Sequence, residues 1–306
     1  MKLFETRSRQ VEQPPEVTNQ TKLKLASTNQ SQIQIKTHFN KRKLKVREFC
    51  RQQGSASWLD TPVQSGFKTS EIPHYLIVNE KYKLVFCPIP KSGCTTFIAT
   101  MLMLDGVDPI HFQGRVWEYI YEKGIRYIRH YSRKRQKEIL RDYYKVIIVR
   151  DPLERLLSAY RDKFIPRGQP VHPHTWMDRL SKDATGRATT LYTFQQFLKL
   201  ILKLKPGKFN GHWSRYHDSC NPCSIDYDFI GNTKQLSEEI PYILEKIHVR
   251  ADELPKKTFH ENKVKRPAKN RTRYYADIPM DVIKAIWNVY KGDYEMFGYN
   301  YTVPNL

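Results

Sequence analysis

The chain has 306 residues with 52 Lys and Arg against 31 Asp and Glu, a net charge of +21. It is long enough to bury a sizeable core, and basic enough to favour an anionic partner such as nucleic acid, acidic lipid, a sulfated or carboxylated glycan or a phosphorylated cofactor. No stretch approaches the roughly 18 consecutive apolar residues that cross a bilayer, and the opening MKLFETRSRQ has no apolar run of the signal-peptide kind, so the chain as given is expected to be soluble.

Residues 1–70 carry 13 basic and 5 acidic side chains, which leaves +13 for the remainder, so the charge excess is not confined to one tail. They are rich in Gln, Lys, Thr and Ser, and "QPPE" and "GSAS" punctuate them. So little apolar surface does not offset chain entropy, and the composition predicts a loosely ordered stem without a core over 1–70, followed by a globular domain over 71–306. Asn19, Asn29, Asn270 and Asn300 each fit the Asn-x-Ser/Thr glycosylation pattern, which points toward the secretory lumen. Five cysteines, an odd number, leave at least one thiol unpaired if the others form bridges.

From residue 75 the texture changes. "YLIVNE" and "KLVFCPI" open it, and Leu84, Val85 and Phe86 read as a strand that enters the turn Pro90-Lys91-Ser92-Gly93-Cys94-Thr95-Thr96 before a helix begins near Phe97. Such a turn gathers backbone N–H groups, a helix N-terminus, a lysine and three hydroxyls, the makings of an anion cradle. The triphosphate-binding pattern G-x-x-x-x-G-K-[ST] is absent, because Lys91 precedes the only glycine. Taken alone, the turn reads equally well as a loop before a capped helix.

Further on, "DYYKVIIVRDP" carries the continuous apolar run Val146 to Val149, which suits a strand buried on both faces. It stops at Arg150. Asp151 then stands as an N-cap, Pro152 in the first turn, and Leu153, Leu156, Leu157 and Tyr160 recur at helical spacing, with Ser158 two turns in. A helix is expected near 192–204. "SIDYDFIGNTKQLSEEIPYILEKI" repeats the strand, turn and helix plan, with Asn232 or Thr233 as cap, and a last helix falls near 279–291. Three such units predict an α/β fold, a parallel sheet flanked by helices, with ligands bound beyond the carboxyl ends of the strands.

Two of these turns carry a resemblance. PKSGCTTF is similar to the 5′-phosphosulfate loop of sulfotransferases, and VRDPLERLLSAYRDKF resembles their 3′-phosphate segment. His212-Trp213, Cys220-Asn221-Pro222-Cys223, Tyr227-Asp228, Gly231 and Tyr242-Ile243-Leu244 extend the likeness to the Golgi carbohydrate sulfotransferases of the chondroitin and dermatan 4-O-sulfotransferase group, over about residues 75–301 and weakly back to Cys50. The resemblance implies a P-loop-like sulfotransferase fold. It assigns Lys91, Ser92, Gly93, Cys94, Thr95 and Thr96 to the 5′-phosphosulfate of 3′-phosphoadenosine 5′-phosphosulfate (PAPS), and Arg150 and Ser158 to its 3′-phosphate. A sulfuryl group carries less negative charge than a phosphoryl, so fixed cations and N–H dipoles are expected to replace a metal ion.

Lys91 is the residue expected to neutralise charge on the leaving phosphate. A general base is also required, and relatives take a His or Glu from the segment after the first loop. That segment offers His111, Glu118, Glu122 and His130, with His111 ranked first although it departs there from the family pattern. Cys220 and Cys223 read as a structural pair rather than zinc ligands, since no second ligand pair follows. His212-Trp213 reads as an acceptor-site lining or as core, and the run Lys263 to Arg273 as a cover over nucleotide or glycan or as a solvated loop.

The implied function is sulfo transfer from PAPS to a sugar hydroxyl, with N-acetylgalactosamine of a chondroitin- or dermatan-like glycan as the expected acceptor. The implied partners are an anionic or glycoprotein glycan, with no nucleic acid. The resemblance also implies the Golgi lumen and membrane association, although no anchor is visible in this sequence. A second reading is a non-catalytic protein that binds anionic glycans on the same fold, and a third, a P-loop kinase, is disfavoured by the missing Walker lysine.

Overall fold

The computed structural model describes residues 19–54, 72–111, 116–117, 119, 126–165, 193–205, 208–250, 253 and 271–300. In chain order the elements are a long helix Asn19–Gln52 (α1), strands Ile77–Asn79 (β1) and Leu84–Cys87 (β2), helix Cys94–Leu104 (α2), strand Arg126–Tyr127 (β3), helix Arg133–Asp142 (α3), strand Tyr144–Val149 (β4) and helix Pro152–Lys163 (α4). Helices Phe194–Lys203 (α5) and Tyr216–Cys220 (α6), strand Phe229–Asn232 (β5), and helices Leu236–Lys246 (α7), Arg271–Ala276 (α8) and Met280–Phe297 (α9) follow.

The strands form one sheet in the order β3-β1-β2-β4-β5. β2, β4 and β5 run parallel, with Phe86 opposite Val146 and Ile147 opposite Ile230. Alternate residues divide between two cores. Phe86, Val146, Ile148 and Phe229 pack with α2 and α7, whereas Val85, Ile147, Val149 and Ile230 pack with residues of α3 and α6. This two-sided burial is why Val146 to Val149 is an unbroken apolar run.

The sheet is mixed rather than parallel. β1 lies antiparallel to both β2 and β3. Only the short turn Glu80–Lys83 separates β1 from β2, and a connection that short can form a hairpin but cannot carry a parallel crossover.

The expectation of a coreless stem fails for the described part of residues 1–70. Ile35, Val46 and Cys50 of α1 are buried, and Phe39 and Phe49 pack beside them. With Arg42 these positions form a stripe at helical spacing. Arg42 Nε donates to the Ile230 carbonyl at 2.7 Å and its guanidinium pairs with buried Glu239, so α1 covers the outer edge of β5, which would otherwise present unpaired backbone. A disulfide from Cys50 to Cys223 fixes the end of α1. The average composition of a 34-residue, mostly polar helix hides this narrow stripe.

Cys220 and Cys223 do not pair with each other. Cys220 is bonded to Cys87 at the end of β2, and Cys223 to Cys50. The two bridges therefore anchor the segment after α6 to the sheet and to α1, and Cys94, which is buried, belongs to neither disulfide.

Candidate active site

The carboxyl ends of β2, β4 and β5 meet at one edge of the sheet. After β2 the chain turns through Lys91, held at φ 68°, and Gly93, at φ 81°. A left-handed lysine is uncommon, and such backbone settings persist only where the surroundings fix them. The left-handed conformation at Gly93 favours glycine, and a β-carbon there would lie 2.2 Å from Leu236 Cδ1, so that side chain would also have to shift. No side chain caps the N-terminus of α2, and Cys94, Thr95 and Thr96 form its first turn, where backbone N–H groups and the helix dipole favour an anion.

The second corner is built as its sequence predicts. Asp151 caps α4 by accepting from the Glu154 amide at 2.9 Å, with Pro152 in the first turn. Arg150 Nη1 donates to the Lys91 carbonyl at 3.2 Å, and its Nε lies 3.5 Å from Glu154. Glu154 also pairs with Lys234 at 2.8 Å. The third corner joins through Thr233, whose hydroxyl donates to the Val149 carbonyl at 3.1 Å.

Two residues without a local sequence signal tie these corners together. The Tyr216 hydroxyl is 2.6 Å from Ser92 Oγ and accepts from the Arg150 amide at 2.8 Å. Buried Ser92 is thus a strut within the loop wall, with its amide turned to the Ile89 carbonyl. Arg155, 1% exposed, donates to three carbonyls, Pro90 at 3.0 Å, Gly211 at 3.1 Å and Ser214 at 2.6 Å. It also lies over the Tyr216 ring. One guanidinium therefore holds the β2 loop against the 210–214 turn.

The face of α4 that carries Arg155 also carries Ser158 and Asp162, at i+3 and i+7. Asp162 Oδ2 pairs with Lys91 Nζ at 3.2 Å and with Lys163 at 3.4 Å. Burial pushes the Lys91 ammonium below its ordinary pKa, and the Asp162 carboxylate opposes that shift. His212 belongs to the same cluster. Burial lowers its pKa to about 3, and the positive charges of Lys163 and Lys91 add to that effect.

Lys91, Ser92, Gly93, Cys94, Thr95, Thr96, Arg150 and Ser158 are thus brought to one edge. His111 is not. It is exposed in a single turn, Pro109–His111, beyond the C-terminus of α2, whereas the loop lies at the N-terminus of that helix. The helix is about 16 Å long. His130 is also exposed, at the end of β3, with its ring edge-on to Tyr127. Glu118, Glu122 and most of the run Lys263 to Arg273 lie outside the described residues. Trp213 is 1% exposed and packs on Phe164 and Phe197, a core residue rather than a sugar platform.

Residues 74–300 match the family model described as "Sulfotransferase family". Among curated proteins the chain is 28% identical to human carbohydrate sulfotransferase 9 over 276 residues, 87% of this chain and 60% of that protein. It is 28% identical to mouse carbohydrate sulfotransferase 11 over 76% of this chain and 68% of that one. It is 27% identical to zebrafish (Danio rerio) carbohydrate sulfotransferase 14 over 96% and 81%. The chain thus spans less than two thirds of the human relative's length. No solved structure matches it.

Proposed function

The chain belongs to the sulfotransferase family, and from that premise we propose that it moves a sulfo group from PAPS to a hydroxyl of a glycan. The carbohydrate sulfotransferases it resembles support a sugar acceptor, and N-acetylgalactosamine of a chondroitin- or dermatan-like chain is the acceptor we assign. One observation carries the reading. An uncapped helix N-terminus follows a partly buried lysine, and the arginine after the next parallel strand donates to that lysine's carbonyl. That set fits an anion bearing phosphate at two places, which PAPS is.

In this reading PAPS supplies an activated sulfo group whose departure leaves charge on a 5′-phosphate. Lys91 neutralises that charge, and the first-turn amides of Cys94, Thr95 and Thr96 orient it. Ser92 and Gly93 shape the loop rather than touch the anion, while Arg150 and Ser158 take the 3′-phosphate. His111 and His212 are the imidazoles that compete for the proton of the acceptor hydroxyl. Two buried disulfides joining distant parts of the chain support an oxidising compartment, in line with the Golgi lumen. Membrane association belongs to the same proposal, and no helix among the described residues is long and apolar enough to cross a bilayer.

The test is calorimetric titration with 3′-phosphoadenosine 5′-phosphate against AMP, followed by labelled PAPS with chondroitin, dermatan and glycoprotein acceptors. Preference for the 3′-phosphorylated nucleotide and label on a glycan are expected, with turnover in Lys91→Ala reduced by about 100-fold or more. Equal affinity for the two nucleotides with no labelled glycan would leave a glycan-binding protein instead.

A further inference from the structure

We propose that His212 is the general base that takes the proton from the acceptor hydroxyl, with Asn210 fixing the ring so that Nε2 is its proton-accepting nitrogen. This inference rests on the sulfo-transfer reading above.

The position comes first. Arg155 holds the carbonyls of Pro90 and Gly211 with one guanidinium, at 3.0 and 3.1 Å. A β-carbon on Gly211 would lie 4.0 Å from the Pro90 ring, an ordinary contact. The residues that follow, Lys91 and His212, are therefore set side by side from two different segments, and the charges of Lys91, Lys163 and Asp162 act on the imidazole. His111 has no such link to the loop among the described residues.

Chemistry within the turn then sets the tautomer. Asn210 Oδ1 lies 3.0 Å from the His212 backbone nitrogen and 2.7 Å from Nδ1 of the same residue. A backbone N–H can only donate, so the amide atom that receives it is the oxygen. That oxygen can only accept, so Nδ1 carries the proton. The lone pair of the neutral ring is then on Nε2, the arrangement a base needs. In the step itself Nε2 accepts the hydroxyl proton as the acceptor oxygen bonds to sulfur. The bond from sulfur to the 5′-phosphate oxygen breaks, and its electron pair leaves on that phosphate, beside Lys91.

Burial is the first cause of the weak basicity of His212 and the charges of Lys163 and Lys91 the second, and it is this second cause that is opposed by the bound donor. Its negative charge opposes Lys91 and Lys163, and an added anion raises the pKa of a nearby imidazole. Arg155 and Asp162 also face His212, and both stay engaged with the protein. His212 therefore becomes a better base when the donor is in place, which ties proton transfer to a loaded site.

The experiment has two readouts. Histidine-resolved NMR of the intact protein is expected to show His212 protonated at Nδ1, with a titration midpoint that rises when 3′-phosphoadenosine 5′-phosphate is added. In steady-state assays His212→Gln is expected to lower kcat by ~100-fold or more while the nucleotide still binds, with partial recovery in added imidazole. Asn210→Ala is expected to lower kcat by ~10-fold and Asn210→Asp, which keeps an acceptor, by less. If His212→Gln folds, binds the nucleotide and turns over like the wild type, or if loss is confined to His111→Ala, the inference is overturned while the sulfo-transfer reading stands. Failure of the wild type to prefer the 3′-phosphorylated nucleotide would instead remove the reading on which it rests.

Discussion

Arg150 Nη1 lies 3.2 Å from the carbonyl oxygen of Lys91, so the turns that follow two neighbouring parallel strands are bonded directly although 59 positions separate the two residues. The bond is not isolated, because the Tyr216 hydroxyl bridges the same two corners and Arg155 clamps the loop from below. The loop's geometry is consequently set by β4 and the 210–216 segment as much as by its own sequence.

Arg155→Lys tests that clamp. A lysine keeps the charge but has no planar fork with which to satisfy carbonyls of Pro90, Gly211 and Ser214 together. Buried acceptors left without donors cost stability, and a loss of about 2–4 kcal/mol in chemical denaturation is expected. Nucleotide affinity should fall with it, since the loop and the 210–214 turn separate. Wild-type stability in this variant would show that the three bonds are not what holds the turn.

Much of the fold was readable because strands and caps carry local signals. The run Val146 to Val149, the Asp151-Pro152 helix start and the Asn232 cap all stand where local chemistry puts them. What the sequence could not reveal is long-range. Tyr216 and Arg155 act on partners more than 50 residues away, and nothing near either residue marks those partners. The stripe of Ile35, Phe39, Arg42, Val46 and Phe49 was present at helical spacing, but a strongly polar average obscured it. The spacing of Arg155, Ser158 and Asp162 on one face of α4 was likewise visible, yet its meaning required the position of Lys91.

Gly93→Ala joins backbone to packing. The residue occupies the left-handed region at φ 81°, and the added methyl would meet Leu236 Cδ1. Strain and overpacking together are expected to cost roughly 2–4 kcal/mol. A second change, Leu236→Ala, removes the collision but not the backbone strain, so Gly93→Ala should cost less in that background. A double-mutant cycle measures the difference, and strict additivity would argue against the contact.

The disulfides give a chemical signature. Alkylation of the denatured, unreduced protein should add one label, at Cys94, and prior reduction should raise the count to five. The Cys50–Cys223 bridge closes a separation of 173 residues, and replacing both cysteines with serine is expected to lower stability by about 2–5 kcal/mol. Because that bridge fastens α1, amide exchange over residues 30–50 should accelerate more than exchange in β4. Uniform acceleration across the sheet would mean that α1 is integral to a single cooperative unit.

Asp293 supplies a pH dependence whose sign follows from burial. It is 2% exposed in α9, and its carboxylate accepts from the Tyr216 amide at 3.1 Å. Burial raises its pKa from 3.8 to about 7, and the Tyr216 amide and Arg155 only partly oppose that shift. Between those values the folded chain holds a proton that the unfolded chain has released. This group's contribution is therefore fully present below about pH 4, declines as pH rises, and is lost above about pH 7. Asp293→Asn keeps an acceptor for Tyr216 without the charge. It should flatten stability between pH 4 and 7 and, at pH 8, stabilise the protein by ~1 kcal/mol or more. Denaturation midpoints of the two proteins across that range decide the matter, and parallel curves would mean that Asp293 is ionised throughout. Since Tyr216 bridges Ser92 and Arg150, a neutral Asp293 that still accepts from its amide leaves that bridge in place in mildly acidic surroundings.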